Sequence, residues 1–200
     1  MNLIDSQAGV DGGSGASTAK TLRVILSTDS PGGSSSGGGW VAKTIDANKT
    51  RPNDGTAYAA GDVVAESTSA ATVWTFTACA SGNGKGGTIV SAVMIESVAQ
   101  ATKPDLELWL FDTTITTQND NVAWAPTDSD MEKCVGVIDL PAALYKTASG
   151  NGVIDRQGLN LQFNAAASDT NLYGVLVVRN AYTPVALEKI VIRLKIAREA

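Results

Sequence analysis

The sequence predicts an all-β protein: an antiparallel two-sheet β-sandwich, by strand number a jelly roll, carrying an extended N-terminal arm. Three observations point there. Short apolar or alternating runs recur between residues 61 and 197 and are separated by turn-forming residues. Helical periodicity is almost missing. Charged residues make up only 18% of the chain, and their place is taken by Thr, Ser, Ala, Asn and Gly, a composition that suits strands and tight turns. An immunoglobulin-like sandwich is the alternative arrangement. With 200 residues the chain has room for one such domain, read here as residues 40–200, and an appendage, residues 1–39.

The arm has its own logic. Asn2–Lys20 is poor in large apolar groups, and Pro31–Gly39 is proline followed only by glycine and serine, a flexible linker by composition. Between them lies a single strand-like island, Thr21–Ser27, in which Leu22, Val24 and Leu26 share one face and Arg23 and Ile25 the other. An isolated strand cannot offset its own ordering entropy in water. It is expected to add to a sheet edge, in this chain or a neighbouring one. Some forty extended residues reach on the order of 100 Å.

From Trp40 the composition changes. Val41–Ala60 reads as a connecting stretch around the turn Arg51-Pro52-Asn53-Asp54-Gly55. Strands are expected at Gly61–Glu66, Thr72–Cys79, Thr88–Val98, Asp105–Phe111, Cys134–Leu140, Leu159–Asn164, Leu172–Arg179 and Lys189–Ala197. Breaks fall at Ser81–Gly84, Lys103-Pro104, Ser149–Gly152 and Ser168–Asn171. One helical turn is expected near 128–134, where Ser129-Asp130-Met131-Glu132 fits a capping box behind Pro126. Pro141–Lys146 is a second candidate.

The clearest alternation is Asp105–Asp112, DLELWLFD. Leu106, Leu108 and Leu110 form one face and are expected in the core. Glu107, Trp109 and Phe111 form the other, which is too aromatic for an ordinary solvated face. Either a second layer of this chain covers it or another chain does. Trp109 and Trp124 flank the polar loop Thr113–Asn121 and are placed to pack beneath it, whereas Trp74 and Phe76 alternate as core residues do.

Composition also restricts the chemistry. Net charge is −5 and the pI about 4.7, which speaks against nucleic acid bound through its phosphates. No polybasic patch or apolar run suggests a membrane or a signal peptide, so synthesis in a reducing cytoplasm is expected. The sequence has no histidine, so a Ser-His-Asp triad, the commonest general base and the commonest metal ligand are ruled out together. Cys79 and Cys134 match no zinc spacing and read as two buried free thiols.

Other motifs are best explained without catalysis. Asp105 and Glu107 are a possible glycosidase pair, but surface solubility accounts for them. Asp120, Asp128, Asp130 and Glu132 offer hard oxygen ligands for calcium without the expected loop spacing. Gly82–Gly87 lacks the phosphate-loop pattern and is flanked by strands on both sides, so it reads as a hairpin turn. No catalytic residue, metal site or cofactor is expected, and the chain is not expected to be an enzyme. The four tryptophans (Trp40, Trp74, Trp109, Trp124) admit a carbohydrate platform, although core or interface roles account for them better.

Several phrases resemble structural proteins of tailed bacteriophages. They are Gly15–Asp29 with its TLRVILSTD core, Tyr58–Val64 (YAAGDVV), Leu108–Asp112 (LWLFD) and Asn121–Asp128 (NVAWAPTD), which together span most of residues 15–140. The resemblance implies a β-sandwich accessory subunit of the virion, often trimeric, such as a capsid decoration (cement) protein or a head fibre. It carries over no catalytic residue. The partners it implies are the major capsid protein and further copies of this chain, at the capsid surface. On that reading Leu22, Arg23, Val24, Ile25 and Leu26 engage a neighbouring subunit, and Trp109, Phe111 and Trp124 are candidates for a subunit interface. A fibre tip or receptor-binding module, with a host glycan as partner, is the alternative.

Overall fold

The computed structural model describes residues 40–199. The arm strand Thr21–Ser27, with Leu22, Arg23, Val24, Ile25 and Leu26, lies outside the described residues. Within them are ten strands, one short α-helix and one turn of 3-10 helix. The strands are β1 (Trp40–Thr50), β2 (Val63–Val64), β3 (Trp74–Phe76), β4 (Gly86–Glu96), β5 (Leu106–Phe111), β6 (Cys134–Leu140), β7 (Tyr145–Ala148), β8 (Asn151–Asn164), β9 (Leu172–Val178) and β10 (Lys189–Glu199).

They form two antiparallel sheets. The first has the order β1-β10-β4-β8-β7 and the second β2-β9-β5-β6, with β3 also pairing to β9. Successive strands repeatedly change sheets, so most neighbours in space are distant in sequence. The inner faces meet in one apolar cluster. Ile89, Met94, Ile190, Ile192, Leu194 and Ile196 come from the first sheet, and Leu106, Leu108, Leu110, Ile138, Leu172 and Leu176 from the second. The leucine face of β5 is core as expected, with Leu108 and Leu110 at 0% exposure. Trp74 and Phe76 are core as well. The fold is therefore the all-β sandwich that the composition and periodicity called for.

Four local expectations need correction. Trp40–Thr50 is not a connection but an edge strand, paired along its whole length with β10 from Trp40↔Glu199 to Thr50↔Lys189. It buries only Ile45 and Ala47, so it carries almost no apolar alternation, and its pairing is imposed by β10. Pro141–Lys146 divides into a 3-10 turn, Ala142–Leu144, and the start of β7.

Ser149–Gly152 is a tighter break than expected. Ala148 pairs with Asn151, leaving Ser149 and Gly150 as a two-residue loop with φ of 50° and 84°. Positive φ at both positions matches the twist of a hairpin, and it lets β8 begin at Asn151 rather than Leu159. Finally, the helix α1 (Asp128–Met131) is capped by Thr127, whose hydroxyl accepts from the Asp130 N–H at 3.2 Å. Ser129 lies inside the helix, so the N-terminus is two residues earlier than the capping-box reading placed it.

Candidate interaction surfaces and a buried polar centre

The outer face of the second sheet carries the aromatic residues singled out above. A second apolar cluster forms there from Val63, Ala65, Phe111, Ile115, Val175 and Val177, with Trp109 and Trp124 packed against it. Phe111 is fully buried, and its ring meets that of Trp124 edge-on at 6.3 Å between centroids, a favoured aromatic geometry. The covering of Phe111 thus comes from this chain: the segment after β5 folds back and lays Ile115 and Trp124 over it. Backbone bonds hold the segment down, with Val63 N–H donating to Val122 O at 2.9 Å and Trp124 N–H to Gly61 O at 2.8 Å. Trp109 is half-buried and donates its indole N–H to Glu107 at 2.9 Å.

The remaining sequence candidates are dispersed. Glu107 is occupied by the Trp109 indole and by an ion pair with Arg179. The acidic residues considered for calcium do not converge: Asp130 is bound by Thr127 and Lys133 at the helix start, while Asp120 is buried elsewhere. Among the described residues no three Asp, Glu or Cys side chains gather round one point. Both cysteines are free thiols. Cys79 is buried, and burial pushes its thiol up to about 12; Cys134 is only half-buried.

A polar centre that sequence reading did not find lies at one end of the first sheet, in two linked parts. In the first, Asp120 accepts from Arg51 Nη2 at 3.0 Å, from the Tyr58 hydroxyl at 2.5 Å and from the Ala65 N–H at 2.8 Å. Arg51 also donates through Nε to Tyr58 and through Nη1 to Val185 O. Both charged groups are almost wholly buried. This node joins the end of β1, the approach to β2 and the loop that covers Phe111. Arg51 reads in sequence as the first residue of an exposed turn; only its partner, sixty-nine positions away, shows otherwise.

In the second part, Glu96 ends β4 and Glu188 immediately precedes β10, and both are buried. Glu96 accepts from the Tyr145 hydroxyl at 2.5 Å, that hydroxyl accepts from the Gln100 N–H at 2.8 Å, and the Gln100 amide donates to Glu188 at 2.6 Å. Room for the Tyr145–Glu96 contact exists because Gly152, which pairs with Glu96, has no side chain; a Cβ there would sit 1.9 Å from the Tyr145 oxygen and 2.6 Å from Glu96. Burial, reinforced by the Glu188 charge, raises the Glu96 carboxyl to about 8. Burial also raises Glu188, to about 7, against the opposing pull of Gln100 and Arg51.

A pH dependence follows. Both carboxyls hold protons in the folded state at pH values where they are ionised in the unfolded chain. Their stabilising effect is therefore complete below about pH 4.5 and is lost as pH rises through 7 and 8. In a chelator-containing buffer, the melting temperature should fall from pH 5 to pH 8.5 and then level off. Glu96→Gln, which keeps the Tyr145 acceptor, should remove the part of the slope centred near pH 8 and leave the Glu188 part near pH 7; an unchanged slope would assign the dependence to other groups.

The surface offers two further features. Strand β1 is an edge, paired on one side only among the described residues, and it begins with the exposed Trp40 (63%) and Val41 (45%). Beside Trp40 runs a groove of about 540 Å³ lined mainly by polar groups, among them Thr88, Asp112, Glu132, Gln162 and Asn164.

No protein-family description and no curated protein matches this sequence. Among solved structures, the chain aligns with one titled as the capsid asymmetric unit of the cyanophage Pam1, at 12% identity and a TM-score of 0.31, over 80% of this chain and 86% of that one. It also aligns with one of a marine algae virus of the order Picornavirales, at 10% identity and a TM-score of 0.21, over 78% and 66% respectively.

Proposed function

We propose that this chain is a non-enzymatic structural protein of a virion, a decoration or cement subunit that binds a capsid through residues 1–39 and associates with copies of itself through the sandwich. The resemblance of residues 15–140 to phage virion proteins is what carries this reading. Two features of the fold support it. The strand orders β1-β10-β4-β8 and β2-β9-β5-β6, with sequence neighbours exchanged between sheets, suit the jelly-roll version of the sandwich. The edge of β1 that is unpaired among the described residues, with Trp40 and Val41 exposed, offers main-chain donors and acceptors to another chain.

In the proposed mechanism, Thr21–Ser27 adds as a strand to a neighbouring subunit and is held by main-chain hydrogen bonds plus the Leu22/Val24/Leu26 face. The glycine-serine linker spans a variable gap, and repetition about a three-fold axis turns weak single contacts into avidity. Trp109 and Trp124, half-buried at the rim of the outer cluster, are where a second copy of the sandwich would seat. Deleting residues 1–39 should leave the sandwich folded, with an unchanged β-type circular dichroism spectrum, and abolish binding to capsids. Decoration at wild-type occupancy by the truncated chain would overturn the arm mechanism.

A second reading, a glycan-binding fibre or receptor module, draws on the groove beside Trp40, where an exposed indole stands next to amides and carboxylates. It predicts hits on a glycan array that vanish in Trp40→Ala. An array without hits removes it.

A further inference from the structure

We propose that Glu96, Glu188, Gln100 and Tyr182 enclose a binding site for a divalent metal cation of the hard, oxygen-preferring class, calcium being the best fit. The proposal is independent of the virion reading and starts from unmatched atoms. Glu96 Oε1, Glu188 Oε2, Gln100 Oε1 and the Tyr182 hydroxyl are all buried and have no hydrogen-bonding partner among the described residues, and their residues are no more than 5% exposed. Buried polar atoms are normally satisfied, and an unsatisfied one calls for a specific explanation. Four in one neighbourhood, all of them oxygens, make a common cause the economical explanation.

Hydrogen bonding ties Glu96, Gln100 and Glu188 together. The Gln100 amide gives its N–H to Glu188 while its backbone N–H reaches Tyr145, and Tyr145 in turn holds the second oxygen of Glu96. In each carboxylate and in the amide, one polar atom is fixed by the protein and the other is left over. Tyr182 packs against Tyr58 with the rings tilted and their centroids 5.3 Å apart, and burial, reinforced by the Glu96 and Glu188 charges, raises its hydroxyl well above the ordinary range. It nevertheless bonds to neither. Oxygens left without a hydrogen-bonding partner keep their lone pairs for a cation.

Charge selects the ligand class. Arg51 is matched by Asp120, whereas Glu96 and Glu188 form no ion pair among the described residues. Without a cation, the two carboxyls avoid the cost of buried charge by keeping their protons; one divalent cation takes the place of those protons and neutralises both. The donors are two carboxylates, an amide oxygen and a phenol oxygen, with no nitrogen or sulfur. This is a set for calcium, magnesium or manganese rather than zinc or copper. Calcium takes about six to eight oxygen ligands, so water is expected to complete the shell.

The test uses the full chain. Metal content is measured by mass spectrometry after purification without chelator. The protein is then stripped with EDTA, and melting is followed with added calcium, magnesium or manganese. Terbium luminescence excited through the adjacent tyrosines provides a direct binding signal. The expected result is either a stoichiometric metal in the native preparation or a rise of at least 5 °C in melting temperature with one of the three ions, together with terbium emission that calcium displaces. Glu96→Gln/Glu188→Gln, neutral and similar in shape, should fold and lose both responses. If that pair does not fold, Gln100→Met, which removes the amide oxygen at similar volume, should weaken the terbium signal at least tenfold. A native protein with neither metal nor melting response overturns the proposal. So does a luminescence signal that persists in the double variant, which would show surface binding only.

Discussion

Asp120→Ala is expected to destabilise the sandwich by about 3–5 kcal/mol, the usual cost of removing one member of a buried ion pair. The change does more than delete a contact. It leaves the Arg51 guanidinium charged and dry, and it strips the Tyr58 hydroxyl and the Ala65 N–H of their acceptor. Three elements distant in sequence lose their common anchor at once. For a domain of this size the melting temperature should drop by roughly 10 °C, measured by circular dichroism.

Asp120→Asn should recover part of the loss by keeping an acceptor oxygen. The double variant Arg51→Met/Asp120→Leu should be more stable than Asp120→Ala alone, because no unpaired charge stays buried. If Asp120→Ala costs less than about 1 kcal/mol, the pair behaves as a surface salt bridge and the buried node is not a structural anchor.

The second large effect is expected at Phe111. Phe111→Ala should cost about 3–5 kcal/mol, because the ring is fully buried between the outer face of the sheet and the Ile115–Trp124 segment. Concentration separates the two possible coverings. A face closed by this chain gives a loss that is the same at micromolar and at hundred-fold higher concentration. A face closed by another copy gives a melting temperature that rises with concentration in the wild type and much less in the variant. The geometry favours the first behaviour for Phe111. Trp109, half-buried and held by Glu107, is where a concentration-dependent effect would appear, and Trp109→Ala should weaken self-association more than it disturbs secondary structure.

Legibility in the sequence followed the strength of the local signal. In β5, alternation located the strand and its core side, Leu106/Leu108/Leu110. Edge strand β1 was missed because it supplies only Ile45 and Ala47 to the core. The start of β8 was missed because Ser149-Gly150-Asn151-Gly152 reads as a long break, when only two of its residues form the turn. Pro141–Lys146 has helical composition, yet its last two residues are drawn into β7 by pairing with β8.

The sequence by itself determined the class of the protein, the leucine face of β5 as core, Trp74 and Phe76 as core, and the absence of histidine chemistry. These follow from composition and from a period of two residues, both local properties. Tertiary structure alone decided the strand order, the covering of Phe111 by Ile115 and Trp124, and the convergence of Arg51 with Asp120 and of Glu96 with Glu188. Each of these depends on which distant segments meet, and a charged residue looks the same in sequence whether it faces water or a partner. Burial then changes its physics: the same glutamate that would be a solvated surface group becomes, in a dry site, a carboxyl that must keep a proton or find a cation.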